Sequence, residues 1–393
     1  MSDLSWDVRD ILSAPRRALD CSSMLVGTVA IVVAAVALTV STYLGILVDG
    51  RFPVGYVWAR LHAFPWVYHV NLGPGGSCVQ ALGLVAAIVT VVYALVAICK
   101  TAYRRLKGDH RFGATEAWRF ARRRGHAVIA LICVLLTGTV SVVAAGLLAS
   151  YAARLPWIGE LLLAVAIIPG VPLSVGVILL LVASVGTLLM GPAVVGTLED
   201  DWLDVLVQVG SLMWARWWRW LLYESVLGVV TAVAGCIAFA VLAAALGIVV
   251  SLGGAFAPDK MLGMMLAAAS YVPGLGFVVF PFMRARGVVE YSITPSVWAA
   301  GVIFASALTL YSALVLGYVL SVWATGQTLV YVILRRLHLG QNVLERDDDI
   351  DRLAALAHRT NEPAPAQAPP VAPEGEREGE GLSQIEGRRE EPT

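Results

Sequence analysis

The stretch MLVGTVAIVVAAVALTVSTYLGILV, residues 24–48, contains no charged side chain. As an α-helix it would rise about 37 Å at 1.5 Å per residue, which exceeds the roughly 30 Å of a bilayer's hydrocarbon core. It is about twice as long as the apolar region of a signal peptide, and no obvious cleavage site follows it. The stretch therefore predicts a retained transmembrane helix.

Apolar windows of this kind recur along the whole chain. Of its 393 residues, 58% are hydrophobic and 14% are charged, and the mean hydropathy is +0.76. A soluble domain carries about a quarter of charged residues, so this composition excludes a water-soluble globule. We predict an all-α fold, a polytopic transmembrane helical bundle. About six spans are expected, near residues 24–48, 77–99, 127–150, 170–196, 221–251 and 297–334.

Two apolar segments do not give clean spans. Trp157 to Pro169 is short, and Pro169 and Pro172 are expected to break a helix there, which favours an interfacial or half-crossing piece. Residues 261–283 are long enough to cross, but the stretch YVPGLGFVVFPF in their second half holds two prolines and two glycines. Non-helical backbone at membrane depth has to be buried against protein. We therefore favour a broken or re-entrant segment there, which keeps the number of crossings at six.

A basic loop sets the predicted orientation. The stretch KTAYRRLKGDHRFGATEAWRFARRRG, residues 100–125, carries nine lysines and arginines and two acids. Short loops rich in Lys and Arg stay on the cytoplasmic side. We therefore predict a multi-pass protein of the cell inner membrane with both termini cytoplasmic. Arg284 and Arg286 fall on the opposite side in this topology and argue against it.

Charge also divides the chain into regions. Residues 1–23 are predicted to form a polar cytoplasmic segment, 24–340 the transmembrane helical domain, and 341–393 an acidic cytoplasmic tail with 13 acids and 6 arginines. The tail is rich in Pro, Glu and Gly and has almost nothing to bury, which predicts a largely disordered segment. It is also the predicted contact point for a protein partner.

The basic loop contains an amphipathic helix. On a helical wheel of residues 114–124, the alanines, Trp118 and Phe120 share one side, and most of the arginines share the other. Such a helix is expected to lie in the membrane plane, with its aromatic side in the bilayer and its basic side toward the head groups. We predict that the basic residues of the loop contact anionic membrane lipids: Arg104, Arg105, Lys107, Arg111, Arg119, Arg122, Arg123 and Arg124.

A simpler interpretation of the basic loop is compatible with lipid contact. The charge would then only hold the loop in the cytoplasm during insertion. No nucleic-acid-binding fold or motif accompanies the charge, so no nucleic-acid partner is predicted.

A second loop, residues 199–224, repeats this plan of span, amphipathic stretch and span. Clustered tryptophans beside a span are typical of anchors at the head-group level rather than of a cofactor platform. The predicted interfacial anchors of the two loops are Trp118, Trp202, Trp214, Trp217, Trp218 and Trp220.

Three stretches carry a resemblance to a known family. They are GATEAWRFARRR (113–124), GPAVVGTLEDDWLDVLVQVGSLMWARWWRWLLYE (191–224) and ATGQTLVYVILRRLHLGQNVLERDDD (324–349). The chain resembles a family of six-span bacterial membrane proteins with no assigned activity, and more loosely the membrane domains fused to some glycerophosphodiester phosphodiesterases. The resemblance implies six spans and a last helix that ends in paired arginines before an acidic cytoplasmic segment. It implies no functional residue.

Catalytic and metal-binding patterns are not found in the sequence. His62 and His69 lie seven residues apart, but Pro65 intervenes and no acid or cysteine joins them, so no metal site is predicted. Glu224 is the best candidate for a functional acid, but beside Arg219 it is expected at the interface. No nucleophile or metalloprotease motif occurs. We predict that the protein is not an enzyme and needs no cofactor.

Two classes of function remain. The first is a non-enzymatic membrane scaffold or accessory protein with a lipid-contacting basic loop. The second is a permease or lipid-handling transporter for an apolar or neutral substrate, with the proline-rich segments as its moving parts. A polar cavity at mid-depth would favour the second, and a solidly packed core the first. Small residues at Ala37, Ser41 and Gly45 suit helix packing within one chain or a homo-oligomer contact.

Overall fold

A computed structural model describes most of the chain outside its acidic tail. The described residues are 6–51, 53–62, 64–67, 71–109, 111–152, 154, 158–198, 201–272, 294–340 and 343–345. All of them belong to one unit, Met1–Arg346. The predicted tail lies almost entirely outside the described residues.

The described residues form helices and no strand, which confirms the all-α prediction. In chain order, the helices are α1 (Val8–Leu12), α2 (Ala14–Ala18), α3 (Cys21–Asp49), α4 (Val54–Leu61), α5 (Pro74–Leu106), α6 (Ala114–Arg124), α7 (His126–Ala152), α8 (Ile158–Leu198), α9 (Trp202–Ala215), α10 (Trp217–Phe256), α11 (Pro258–Tyr271) and α12 (Pro295–Leu339). Short 3₁₀ turns cover Pro65–Val67 and Val343–Glu345.

Six of these helices are long and apolar enough to cross a membrane: α3, α5, α7, α8, α10 and α12. They correspond to the six predicted spans. The short helices α6 and α9 connect spans at one end of the bundle, which we call the basic end. At the opposite end, α4 joins α3 to α5, and α11 follows α10.

The hairpin of α3 and α5 is held at its turn and along its length. The Asp49 carboxylate accepts a hydrogen bond from the Gly73 N–H at 2.9 Å. A Cβ on Gly45 would lie 2.8 Å from the carbonyl oxygen of Gly76, and Ser41 packs on Gly83. The small residues predicted on α3 therefore face α5 within the same chain. Close backbone approach of this kind is how helices pack where lipid supplies no hydrophobic drive.

The prediction of a helix break near Pro169 and Pro172 was wrong. Helix α8 continues through both prolines and through Pro192. Each proline removes one backbone hydrogen bond. Unwinding the helix would expose several peptide groups to hydrocarbon, where each unsatisfied group costs several kcal/mol. The continuous helix is therefore the less costly solution inside a bilayer.

The segment 261–283 is described only in its first half. Residues 261–271 belong to α11, whose 14 residues span about 21 Å, too short to cross about 30 Å of hydrocarbon. Glu224 near the start of α10 meets Gln327 in the last third of α12, so these two helices run antiparallel. No net crossing therefore separates them. The stretch YVPGLGFVVFPF lies mostly outside the described residues.

The tightest packing lies at the basic end. Fully buried side chains there include Ile98, Tyr103, Met190, Leu227 and Ile333, from four different spans. Toward the opposite end, large apolar side chains of α7, α8 and α10 face outward instead. That surface suits contact with acyl chains. The basic end is therefore the part of the described molecule in which side chains of several helices converge.

Candidate functional site at the basic end

The predicted basic loop begins inside a helix. Helix α5 continues to Leu106, so the first cations of the loop lie within the bundle. Lys100 has no exposed surface, and its Nζ lies 5.1 Å from the ring centroid of Tyr103 and 4.9 Å from that of Phe120. Arg104 is 3% exposed, with its guanidinium 5.9 Å from the Phe112 ring. The prediction that Arg104 contacts lipid was therefore wrong, because α6 and the residues before it cover the end of α5.

Arg105 pairs with the N-terminal segment. Its guanidinium forms an ion pair with Asp20, the residue that caps α3 by accepting a hydrogen bond from the Ser23 N–H at 3.2 Å. Burial alone would raise the pKa of the Asp20 carboxyl. Hydrogen bonds from Ser22 and Ser23 and the charge of Arg105 outweigh burial and lower that pKa below its ordinary value. The ion pair is therefore formed at neutral pH.

Two more loop cations make contacts within the chain. The Nζ of Lys107 lies 5.6 Å from the Tyr103 ring centroid. Arg124 forms an ion pair with Asp201 at 3.5 Å, which links the end of α6 to the start of α9. Of the eight predicted lipid contacts, four are exposed: Arg111, Arg119, Arg122 and Arg123.

The apolar side of α6 packs on the protein. Ala117 and Ala121 are fully buried, and Trp118 and Phe120 pack against the main core. The helical wheel gave the correct division of faces, and Trp118 and Phe120 are half-buried against the core, so the entry of the aromatic side into the bilayer stays a prediction. The apolar face of a helix is removed from water equally well by contact with other helices and by contact with lipid. The arginine face of α6 is left as the outer one.

The predicted tryptophan anchors of the second loop also divide into exposed and buried side chains. Trp214 is 81% exposed, and Trp202, Trp217 and Trp218 are also exposed, as a head-group anchor requires. Trp220 is only 7% exposed and packs in the main core, so the prediction that it is an anchor was wrong. It lies on the side of α10 that faces the bundle, three residues before buried Tyr223.

A polar network joins α9 to α12. The Gln208 Oε1 accepts hydrogen bonds from the Tyr331 hydroxyl at 2.8 Å and from Arg335 at 2.9 Å. Arg335 also donates to the Tyr331 oxygen at 2.5 Å. Sequence reasoning missed this network. Its only local signal is the spacing of four between Tyr331 and Arg335, which places both on one helix face.

A second polar pair lies deeper in the bundle. Gln327 is 1% exposed, and its Nε2 donates to Glu224 Oε2 at 2.6 Å. The remaining oxygen of each side chain is buried and has no hydrogen-bond partner among the described residues. Glu224 therefore faces α12 rather than the membrane interface where the sequence placed it. The pair ties two spans together through a polar contact, which is uncommon and costly to break in this environment.

Gln327→Leu is expected to destabilise the protein. The substitution removes the donor to Glu224 and leaves a buried carboxyl oxygen without a partner, which costs about 1–3 kcal/mol of unfolding free energy. Thermal unfolding in detergent is the measurement. Glu224→Gln should stay close to the wild type, because an amide can still accept the bond. The double variant Glu224→Leu/Gln327→Leu should be more stable than Gln327→Leu alone. Equal stability of Gln327→Leu and the wild type would refute a structural role for the pair.

Known proteins give no further guide to this site. The chain matches no protein-family model, no curated protein and no solved structure. The resemblance to the six-span bacterial family therefore stays a prediction. Function has to be argued from the side chains themselves.

The described residues supply no metal-ligand set. No three His, Cys, Asp or Glu side chains among them lie close enough together to hold an ion. His62 stacks on Tyr271 with ring centroids 4.3 Å apart, and burial lowers the pKa of its imidazole. His69 lies outside the described residues. His62 therefore acts as one member of an aromatic contact between α4 and α11.

Two cavities adjoin the basic end. One is an apolar groove of about 810 Å³ between α10 and α12. The other, of about 500 Å³, has charged side chains in its lining, among them Asp20 and Arg105, and we call it the polar cavity. The exposed arginines have the charge to attract anions, and the groove has an apolar lining.

Proposed function

We propose that this protein is a non-enzymatic scaffold or accessory protein of the cell inner membrane, with both termini in the cytoplasm and a basic face that contacts anionic lipids. The observation that carries the proposal is the division of charge at the basic end. Lys100, Arg104 and Arg335 are turned into the fold, whereas Arg111, Arg119, Arg122 and Arg123 face outward. A folded core that leaves an outward row of cations suits a lipid-facing surface.

The proposed orientation is supported by the same residues. Short loops rich in Lys and Arg remain cytoplasmic, and the exposed arginines of α6 are joined at this end by Arg216 and Arg219 beside α9 and α10. The first span begins and the last span ends at the same end of the bundle. Both chain termini would then lie in the cytoplasm.

The energetics favour anionic head groups as the ligand of this face. A Lys or Arg near a membrane of anionic lipid contributes about 1 kcal/mol. Four exposed arginines would therefore contribute several kcal/mol to the free energy of binding anionic lipid. This contribution decreases at high salt, because salt screens the charges. The exposed Trp214, Trp217 and Trp218 lie at the same end and would fix its depth at the head-group level. The acidic segment 341–393 would be left to contact a protein partner.

A lipid-handling transporter is the second candidate, and the apolar groove between α10 and α12 favours it. Such a protein would move a lipid analogue across liposomes without any partner. A scaffold would leave that flux at the level of empty liposomes. Flux carried by the purified chain alone would therefore replace the scaffold proposal.

Neutralising the four exposed arginines is expected to abolish the preference for anionic lipid. The variant is Arg111→Gln/Arg119→Gln/Arg122→Gln/Arg123→Gln, and the measurement is the ratio of anionic to zwitterionic phospholipid retained in lipid nanodiscs made from an equal mixture. About 1 kcal/mol per charge predicts at least a tenfold loss of preference at low salt. Lys260→Gln, an exposed cation at the opposite end, is the control and should change nothing. An unchanged ratio in the four-arginine variant would refute the proposed role of this face.

A further inference from the structure

The apolar groove is closed at one end by the N-terminal segment. It runs between α10 and α12, where Val233, Ala238 and Tyr318 line it, and Pro15 and Leu19 form its wall at the basic end. The Tyr318 hydroxyl donates to the Pro15 carbonyl oxygen at 3.4 Å, and the Ser321 hydroxyl donates to that of Ala18 at 3.1 Å. The groove therefore lies along two spans and ends at a fixed part of the chain.

The polar cavity begins where the groove ends. Leu19 lines both cavities. Beyond it, the polar cavity is lined by Arg16, Arg17, Arg105 and Asp20. Three guanidinium groups face one carboxylate, which leaves a net charge of +2.

Arg105 is positioned for an anion beyond its ion pair with Asp20. Its Nη2 pairs with the Asp20 carboxylate and donates to the Ser22 hydroxyl. Its Nε is buried and has no acceptor among the residues that the structure describes. A buried charged donor without an acceptor is costly, and phosphate oxygens are strong acceptors for guanidinium groups. The cavity thus carries excess positive charge beside a guanidinium that has one unsatisfied buried nitrogen.

The two neighbouring cavities together match the shape and chemistry of one kind of molecule. A groove at acyl-chain depth that meets a basic cavity at Leu19 suits an amphiphile with an anionic head. A soluble anion would leave the groove without a role, and an apolar helix would leave the arginines without one. Because groove side chains are about as apolar as lipid tails, the head group should supply most of the selectivity.

We propose that these two cavities hold one anionic glycerophospholipid, with its phosphate at Arg16, Arg17 and Arg105 and an acyl chain in the groove between α10 and α12. The lipid tethers the N-terminal helices α1 and α2 to the bundle. This site is separate from the outward arginines of α6, which contact lipid collectively and hold no single molecule.

Native mass spectrometry of the detergent-solubilised full chain tests the site. Phosphatidylglycerol, phosphatidylcholine and inorganic phosphate are added in turn. The wild type should retain one phosphatidylglycerol more tightly than phosphatidylcholine. Arg16→Gln/Arg17→Gln should bind phosphatidylglycerol about 30-fold more weakly, as expected for two lost charge contacts. Arg16 is exposed and Arg17 is half-buried, so the variant should fold.

The groove is tested by a matched pair on α10. Ala238→Trp fills the groove and should weaken binding of either phospholipid, whereas Ala240→Trp, on the exposed side of the same helix, should not. The variant Arg111→Gln/Arg119→Gln/Arg122→Gln/Arg123→Gln should keep the single tightly bound lipid even when it loses the preference for anionic lipid in nanodiscs. The proposal for the exposed arginines and the proposal for the cavities can therefore be refuted independently. Unchanged phosphatidylglycerol binding in Arg16→Gln/Arg17→Gln or in Ala238→Trp would overturn the site. Equal binding of phosphatidylcholine, or displacement of the lipid by inorganic phosphate, would also overturn it.

Discussion

Replacing Gly27 by leucine is expected to abolish the folded bundle. Helices α3 and α12 cross at Gly27 and Gly317, where their backbones are in contact. A Cβ on Gly27 would lie 2.6 Å from the Gly317 carbonyl oxygen, and a Cβ on Gly317 would lie 2.5 Å from the Thr28 nitrogen. The atoms on both sides of the crossing include backbone, so they cannot rotate away. The two helices would have to separate to admit any side chain.

The cost of separating α3 from α12 extends beyond the crossing. Overpacking in a core that can partly relax costs about 1–3 kcal/mol. Here the shift would also open the packing around Val26 and Ala30 on α3, both nearly or fully buried. Close approach at small residues is a main source of helix association in lipid. We expect little monodisperse protein, measured by size-exclusion chromatography in detergent.

Gly247→Leu is the matched control for Gly27→Leu. Gly247 lies in the span α10, is exposed, and would have no atom within 4 Å of an added Cβ. The substitution adds the same apolar side chain to a membrane helix, so it should leave the elution profile and the melting temperature unchanged. A Gly27→Leu protein as monodisperse and as stable as Gly247→Leu would show that the α3–α12 crossing is not required.

The crossing illustrates what local sequence reveals about packing. The spacing of Ala37, Ser41 and Gly45 predicted a packed face on α3, and that face does meet α5. The contact of Gly27 with α12 was not predictable, because it joins residues that are distant in sequence. Gly27 gave no signal of its own among 37 glycines. Helix spans follow from hydropathy, whereas helix pairs depend on shape complementarity between whole faces.

The basic loop also shows which features the sequence predicts and which depend on tertiary packing. Periodicity correctly assigned the two faces of α6, but it could not tell whether the apolar face meets lipid or protein. Hydropathy ended the second span near Cys99, whereas α5 runs two further turns and carries Lys100 and Arg104 into the core. The rings of Phe120 on α6 and of Phe112, two residues before α6, cover those cations. A charged residue satisfied by distant rings is invisible to a sliding window.

Lys100→Glu is expected to prevent the protein from accumulating in folded form. The wild-type ammonium is fully buried, with the Tyr103 and Phe120 rings within about 5 Å. A desolvated cation–π contact contributes about 2 kcal/mol or more. A carboxylate in its place would meet the negative faces of both rings, and an uncompensated buried charge costs about 3–5 kcal/mol. The sum is a large part of a typical unfolding free energy of about 5–15 kcal/mol.

Arg123→Glu separates this packing effect from the insertion signal. It makes the same change of charge in the same basic loop, but Arg123 is exposed on α6. If the loop's charge count alone set the yield, both variants would fail equally, because each lowers the net charge of the loop by two. We expect folded Arg123→Glu protein at close to wild-type yield and almost none of Lys100→Glu, measured as monodisperse material per cell. Equal yields would show that burial of Lys100 against the two rings contributes little, and that the basic stretch acts only as a topological signal.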